Sequence, residues 1–224
     1  MRAARSLMFV ALLPLFGGCQ WLPSLSEAPS TAGLTRMQGE LGMAGGKLVF
    51  KPCQGSTQYL VRDTGATSVM QEAATLAGPQ HSVFADLRGR VPSSSVAGNT
   101  AQLEVEQLYR LERATSACAN PDFPKLVLQA AGHGPEWNVK VAGKGMVIER
   151  AGQPALALPY LEEQLGDGRF NLSSEANEQH VELWVAPQRC VDPTRPSVQF
   201  MSAELRVNGQ VQRGCAYFGG ARSD

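Results

Sequence analysis

Short stretches in which apolar and polar residues alternate dominate the chain. Residues 58–62 put Tyr59 and Val61 on one face. Residues 81–88 put Val83, Ala85 and Leu87 on one face and Ser82, Asp86 and Arg88 on the other. Residues 102–106 alternate Leu103 and Val105 with Glu104 and Glu106. A period of two marks half-buried antiparallel strands. Residues 37–41 and 47–50, separated by Gly42, Gly45 and Gly46, read as two more strands, the second running up to Pro52 and Cys53. One helix interrupts them. Ser68 and Gln71 have the spacing of a capping box, Val69, Met70, Ala73 and Leu76 form an apolar stripe, and Gly78-Pro79 ends it.

The second half reads as all-β. Residues 125–129, 137–141, 146–149, 156–160 and 169–172 are short apolar stretches between Gly- and Pro-bearing turns. Residues 180–186 point Val181, Leu183 and Val185 inward and Glu182 and Trp184 outward. Residues 202–208 bury Ala203, Leu205 and Val207 and end in Asn208-Gly209, the preferred pair for a tight type I′ hairpin; residues 211–217 return. Between the halves, residues 114–124 carry Pro121 and Pro124 and little periodicity. The expected fold is mainly β, with two small antiparallel β-barrel or sandwich domains. The first, 34–118, is an OB-like barrel with one short helix, and the second is 119–224.

The N-terminus changes the picture from fold to place. Arg2 and Arg5 form a basic start, residues 7–16 are apolar, and Gly17-Gly18 precede Cys19. This is too short to span a bilayer, which takes about 20 apolar residues, and has the order of a secretory signal peptide over 1–18. A Cys at the cleavage point resembles the lipobox of bacterial lipoproteins, with Phe16 where the usual pattern has Leu. That resemblance implies a diacylglyceryl group on Cys19 and a membrane attachment. An ordinary signal peptide with an incidental Cys is the alternative. Residues 19–33 read as the acylated Cys and a flexible tether rich in Pro, Ser and Ala. Gln20 after the Cys resembles an outer-membrane sorting signal, because enterobacterial lipoproteins kept in the inner membrane carry Asp there.

Composition excludes more than it assigns. Of 224 residues, 206 follow the leader; Arg2 and Arg5 go with it, so 20 basic residues become 18 against 20 acidic, a net −2. With no basic stripe, nucleic acid is not expected as a partner. Setting Cys19 aside leaves Cys53, Cys118, Cys190 and Cys215. An even number in an oxidising compartment predicts disulfides. Of three connectivities, Cys53–Cys118 with Cys190–Cys215 staples each half to itself. A structural metal site would need closely spaced ligand pairs, and none of these cysteines has a close neighbour in sequence.

The C-terminal half resembles a family of proteobacterial envelope lipoproteins. Its carriers are Gly132-His133-Gly134-Pro135-Glu136-Trp137, Cys190-Val191-Asp192, Asn208-Gly209 and Gly214-Cys215-Ala216. The family's Phe before the Trp is absent, and its Met-Ser-Gly after the Asp is replaced by Pro193-Thr194-Arg195. The first half is similar, through Gly39-Glu40-Leu41, Leu48-Val49-Phe50 and Pro52-Cys53, to the N-terminal barrel of NlpE-type lipoproteins. Those are linked to copper handling and envelope stress through a Cys-x-x-Cys. Cys53 stands alone, so copper sensing does not carry over.

No catalytic pattern is legible. His81, His133 and His180 are isolated, no nucleophile elbow, zinc-protease or phosphate-loop motif is present, and Ser93-Ser94-Ser95 reads as turn chemistry. Glu162-Glu163 are adjacent, so on a strand they would face opposite ways; they read as a solvated turn. The candidate binding residues are Trp137 and Trp184, with Tyr217 nearby, and Asp192 and Arg195 on the loop after Cys190. The expectation is a non-enzymatic lipoprotein without metal or cofactor, anchored in the outer membrane and facing the periplasm. It would bind an envelope protein or a cell-wall component as scaffold, adaptor or stress sensor. The alternatives are a lysozyme-inhibitor-like module and, behind it, an enzyme acting on cell-wall or lipid material.

Overall fold

The computed structural model describes residues 33–78, 82–92, 101–113 and 115–222. The leader, Cys19, most of the tether, His81 and the 93–95 serines lie outside the described residues. The fold is mainly β, with one α-helix among the described residues.

The first half closes on itself. Strands β1 (Thr35–Ala44), β2 (Lys47–Pro52) and β3 (Tyr59–Asp63) form an antiparallel meander, and α1 (Val69–Ala77) leads to β4 (Ser82–Arg90) and β5 (Gln102–Glu112). β4 pairs with β1 and β5, and β3 pairs in parallel with β5, so five strands make a barrel with the connectivity of an OB-type fold. Leu41, Leu48, Phe50, Val83, Leu87, Leu103 and Val105 fill it, and α1 covers one end with Val69, Ala73 and Leu76. The capping box at the start of α1 does not form. Ser68 sits at φ 60° with no side-chain cap, while Asp63 accepts the Thr67 N–H at 2.8 Å and its hydroxyl at 3.1 Å.

The second half is a rolled meander. Its strands are β6 (Leu126–Gly132), β7 (Trp137–Ala142), β8 (Gly145–Arg150), β9 (Leu156–Leu158), β10 (Leu161–Gly166), β11 (Arg169–Ser174), β12 (Val181–Asp192), β13 (Ser197–Val207) and β14 (Gln210–Phe218). Each pairs antiparallel with the next except β9 and β10, and β14 pairs back onto β6. Inward residues from both ends of this sheet, Ile148 and Leu158 at one and Phe170 and Leu183 at the other, share one cluster with Trp137 and Leu205. The sheet is therefore curled, with its seam between β9 and β10. β10 replaces the solvated turn expected at Glu162-Glu163. An exposed edge strand has no buried face, so alternation leaves no trace in its sequence. Asn208 and Gly209 take φ 49° and 83°, the left-handed pair that a type I′ turn needs.

The two halves keep separate hydrophobic clusters yet share one sheet. The first residues of β13 pair with the end of β5, Ser197 opposite Glu112 and Gln199 opposite Arg110. Phe200 reaches the barrel core. The described residues form one compact unit, with short 3-10 turns at Thr115–Ala119 and Phe123–Lys125 where a domain boundary was expected. The disulfides are the two expected pairs, Cys53–Cys118 and Cys190–Cys215.

Candidate functional site

Register on the outer face of the rolled sheet builds a trough. Ala186, Ser202, Cys215 and Ala131 lie side by side across β12, β13, β14 and β6. Their small side chains make a low floor, and the Cys190–Cys215 bridge is part of its lining. The trough has a volume of about 700 Å³.

One wall is the neighbouring outward row. Trp184 donates its indole N–H to Glu182 at 3.1 Å, and the Arg206 guanidinium lies 5.2 Å from the centre of its ring. Glu204 receives Arg206 at 2.8 Å on one oxygen and Arg213 at 3.0 Å on the other. The Arg206 hydrogen bond, outweighing partial burial and helped by the positive charges of Arg206 and Arg213, holds the Glu204 carboxyl below the usual range. Leu165 and Arg169, flanking the β10–β11 turn, overhang this side.

The opposite wall is the turn after β12. Asp192 is 7% exposed. One carboxylate oxygen accepts the N–H groups of Thr194 and Arg195 at 2.9 and 3.1 Å and the Thr194 hydroxyl at 2.9 Å. The other oxygen lies 3.2 Å from His133 Nε2. Burial alone would raise this carboxyl, but the hydrogen bonds from Arg195, Thr194 and His133 outweigh it and hold it below the ordinary carboxylate range. The loop it pins, residues 193–196, is exposed along its length.

The trough thus joins two expected residues, Trp184 and Asp192. Arg195 is half exposed and pairs weakly with Glu136 at 3.4 Å. Trp137 is not a surface residue: it is 1% exposed in the core of the second half. It shares its face of β7 with Val139 and Val141, and that period places it inward. Tyr217 is buried too, its hydroxyl donating to Gln129 at 2.7 Å. Burial, only partly offset by the charge of Arg110, raises its phenol. Glu204, Arg206 and Arg213 were not singled out from sequence. The signal was present, because counting back from the Asn208-Gly209 turn sets Glu204 opposite Arg213.

A smaller polar hollow of about 300 Å³ lies where the halves meet, lined by Arg110, Gln129, Ser197, Gln199 and Tyr217 among others. Arg110 is sandwiched between Phe84 and Tyr217, 4.8 and 4.1 Å from the ring centres, and meets Glu112 at 3.2 Å. Its Nε and Nη2 and the Gln199 side-chain oxygen have no partner among the described residues. Such groups are ordinarily met by buried water. Among the described residues, no three His, Cys, Asp or Glu side chains converge as a metal site.

Comparison with family models, characterised proteins and solved structures finds no match to this chain.

Proposed function

We propose that the chain is a lipid-anchored envelope protein, held at the outer membrane through Cys19 and facing the periplasm, that acts by binding rather than catalysis. The contact site in this reading is the trough beside Cys190–Cys215, and the partner is a cell-wall component or another envelope protein. The observation that carries it is the trough itself: a concave, mostly apolar floor bounded by a tryptophan and by Arg169, Arg206 and Arg213. Binding sites of this kind combine an apolar body with a few fixed polar groups. The two disulfides support an oxidising compartment, and the leader and Cys19 support the anchor.

Cell fractionation of Cys19→Ser tests the anchor. Release from the membranes after a high-salt wash is expected, and retention through that wash overturns it. Thermal shift with muropeptides, lipopolysaccharide fragments and lysozymes tests the trough. A ligand at 100 times its Kd stabilises by about 2.7 kcal/mol, a shift of several degrees, and the shift should vanish in Trp184→Ala. A shift that survives Trp184→Ala removes the trough from the proposal.

The 193–196 loop favours a second reading, an inhibitor module. Asp192 pins the loop from below and it presents Arg195, 54% exposed, to solvent. A lysozyme response that survives Trp184→Ala and is lost in Arg195→Glu would select this reading.

A further inference from the structure

A second surface, on the other side of the rolled sheet, carries a different chemistry. Outward residues of β7, β8 and β9 form the cross-strand row Lys140, Val147 and Ala157. Beside this row Lys144 sits in the β7–β8 turn, and Lys125 directly precedes β6. Together they rim a shallow apolar trough of about 580 Å³ whose remaining lining includes Ala142 and Pro159. Val147 is 40% exposed although Met146 and Ile148 on either side of it are fully buried.

What sets this face apart is that three cations without a carboxylate partner gather round one apolar patch. Arginines at 36, 90, 110, 169, 189, 195, 206, 213 and 222 each lie within 4 Å of a carboxylate. Lys125, Lys140 and Lys144 have no such partner among the described residues, and they are three of the five lysines in the whole chain. Asp122 is the one acidic residue lining the trough. Glu149, next outward on β8, is taken by the Asn138 amide at 3.0 Å. Lysine stems lie well along apolar surface while the ammonium stays in water. Three unpaired ammonium groups around an exposed valine and alanine match an anionic headgroup above a glycerol or acyl segment. A free phosphate would leave the apolar floor unused.

We propose that this face docks on an anionic lipid surface through Lys125, Lys140 and Lys144, with Val147 and Ala157 against the interfacial region. The contact does not depend on acylation of Cys19. Near an anionic bilayer each lysine contributes about fivefold to binding, so the three together give about a hundredfold, lost as salt screens them.

The test is sedimentation of the full chain carrying Cys19→Ser with phosphatidylcholine vesicles, with and without phosphatidylglycerol. The apolar leader is common to every sample, so the difference between the two vesicle types reads the lysines. Expected is a salt-sensitive preference for the anionic vesicles. It should fall by about a hundredfold in the triple variant Lys125→Gln, Lys140→Gln, Lys144→Gln and more modestly in Val147→Asp. The substituted side chains are exposed or half-buried, and an unchanged unfolding midpoint shows that the fold is kept. Equal binding to both vesicle types, or an anionic preference that survives the triple variant, overturns the proposal. A dimer in light scattering that Val147→Asp dissociates would assign the face to a second copy of the chain instead and overturn it equally.

Discussion

Arg36 and Asp86 form a two-pronged ion pair, Nε to Oδ1 and Nη2 to Oδ2 at 2.8 Å each, and the Asp86 side chain is wholly buried. The same guanidinium donates to the main-chain oxygens of Phe218 and Gly219 at 2.6 and 2.9 Å and lies over the rings of Tyr109 and Phe123. One side chain of β1 therefore holds a barrel strand and the end of the second half at once. Asp86 points out of the barrel, where Arg36 and Gln38 of β1 hydrogen-bond its carboxylate and Arg36 carries the contact on to the second half. The halves are coupled through a charge that neither can leave in water-free surroundings alone.

Removing one member of a buried pair strands the other, at about 3–5 kcal/mol. Asp86→Ala and Arg36→Met are each expected to lower stability by that order in denaturant unfolding. The double variant Arg36→Met, Asp86→Leu should recover a substantial part, because no uncompensated charge remains. Additive losses in the double variant would show that the pair is not the element being measured. The unfolding transition should also stay single, with probes in the barrel and in the rolled sheet reporting one midpoint.

The disulfides give an independent check on how each half is stapled. Their loops span sequence separations of 65 and 25 residues, for which chain entropy predicts about 4 and 3.5 kcal/mol. Peptide mapping without reductant should recover Cys53–Cys118 and Cys190–Cys215. Cys190→Ser, Cys215→Ser is expected to lower the unfolding midpoint and to loosen the trough, since both cysteines line it.

Local relationships were legible in the sequence and those between the halves were not. The hairpin at Asn208-Gly209, the helix stripe of Val69, Ala73 and Leu76 (Met70, read with them, is exposed), and the cysteine pairing follow from short-range pattern and chain topology. Asp86 alternates with Val83, Ala85 and Leu87 as a solvent-facing residue should, and it is the Arg36 pair, itself tied to Phe218 and Gly219, that the local pattern does not show. Arg110, also buried on that seam, is sealed by Phe84 and Tyr217 from opposite halves. Trp184 is a binding candidate by its outward register and Trp137 by residue type alone. Periodicity separates them, since Trp184 alternates with buried Leu183 and Val185 while Trp137 shares its face with Val139 and Val141.

Asp192 makes stability depend on acid. Its folded-state pKa is held down, so as pH falls the unfolded chain takes up the proton first. The stabilisation is complete above the ordinary carboxylate value of about 3.9 and is lost as pH drops through the folded value below it. Asp192→Asn should flatten the acid side of the profile of unfolding midpoint against pH and free the 193–196 loop. A profile parallel to that of the parent would mean that the loop is held by other contacts. Glu204, lowered by Arg206, contributes in the same direction, so its variant Glu204→Gln serves as the control for a surface carboxylate.

The two tryptophans should separate stability from binding. Trp137→Ala opens a cavity among Ala130, Val139 and Ile148 in the core and is expected to cost about 3–5 kcal/mol. Trp184→Ala loses a cation–π contact with Arg206 and the hydrogen bond to Glu182, and should cost about 1 kcal/mol. It also removes one wall of the trough. Denaturant unfolding of the two variants, with ligand-induced thermal shift on Trp184→Ala, reads both quantities. A large stability loss in Trp184→Ala would place that ring among the structural residues and take the trough's wall with it. A small loss together with an abolished shift is the outcome that the outward register of β12 requires.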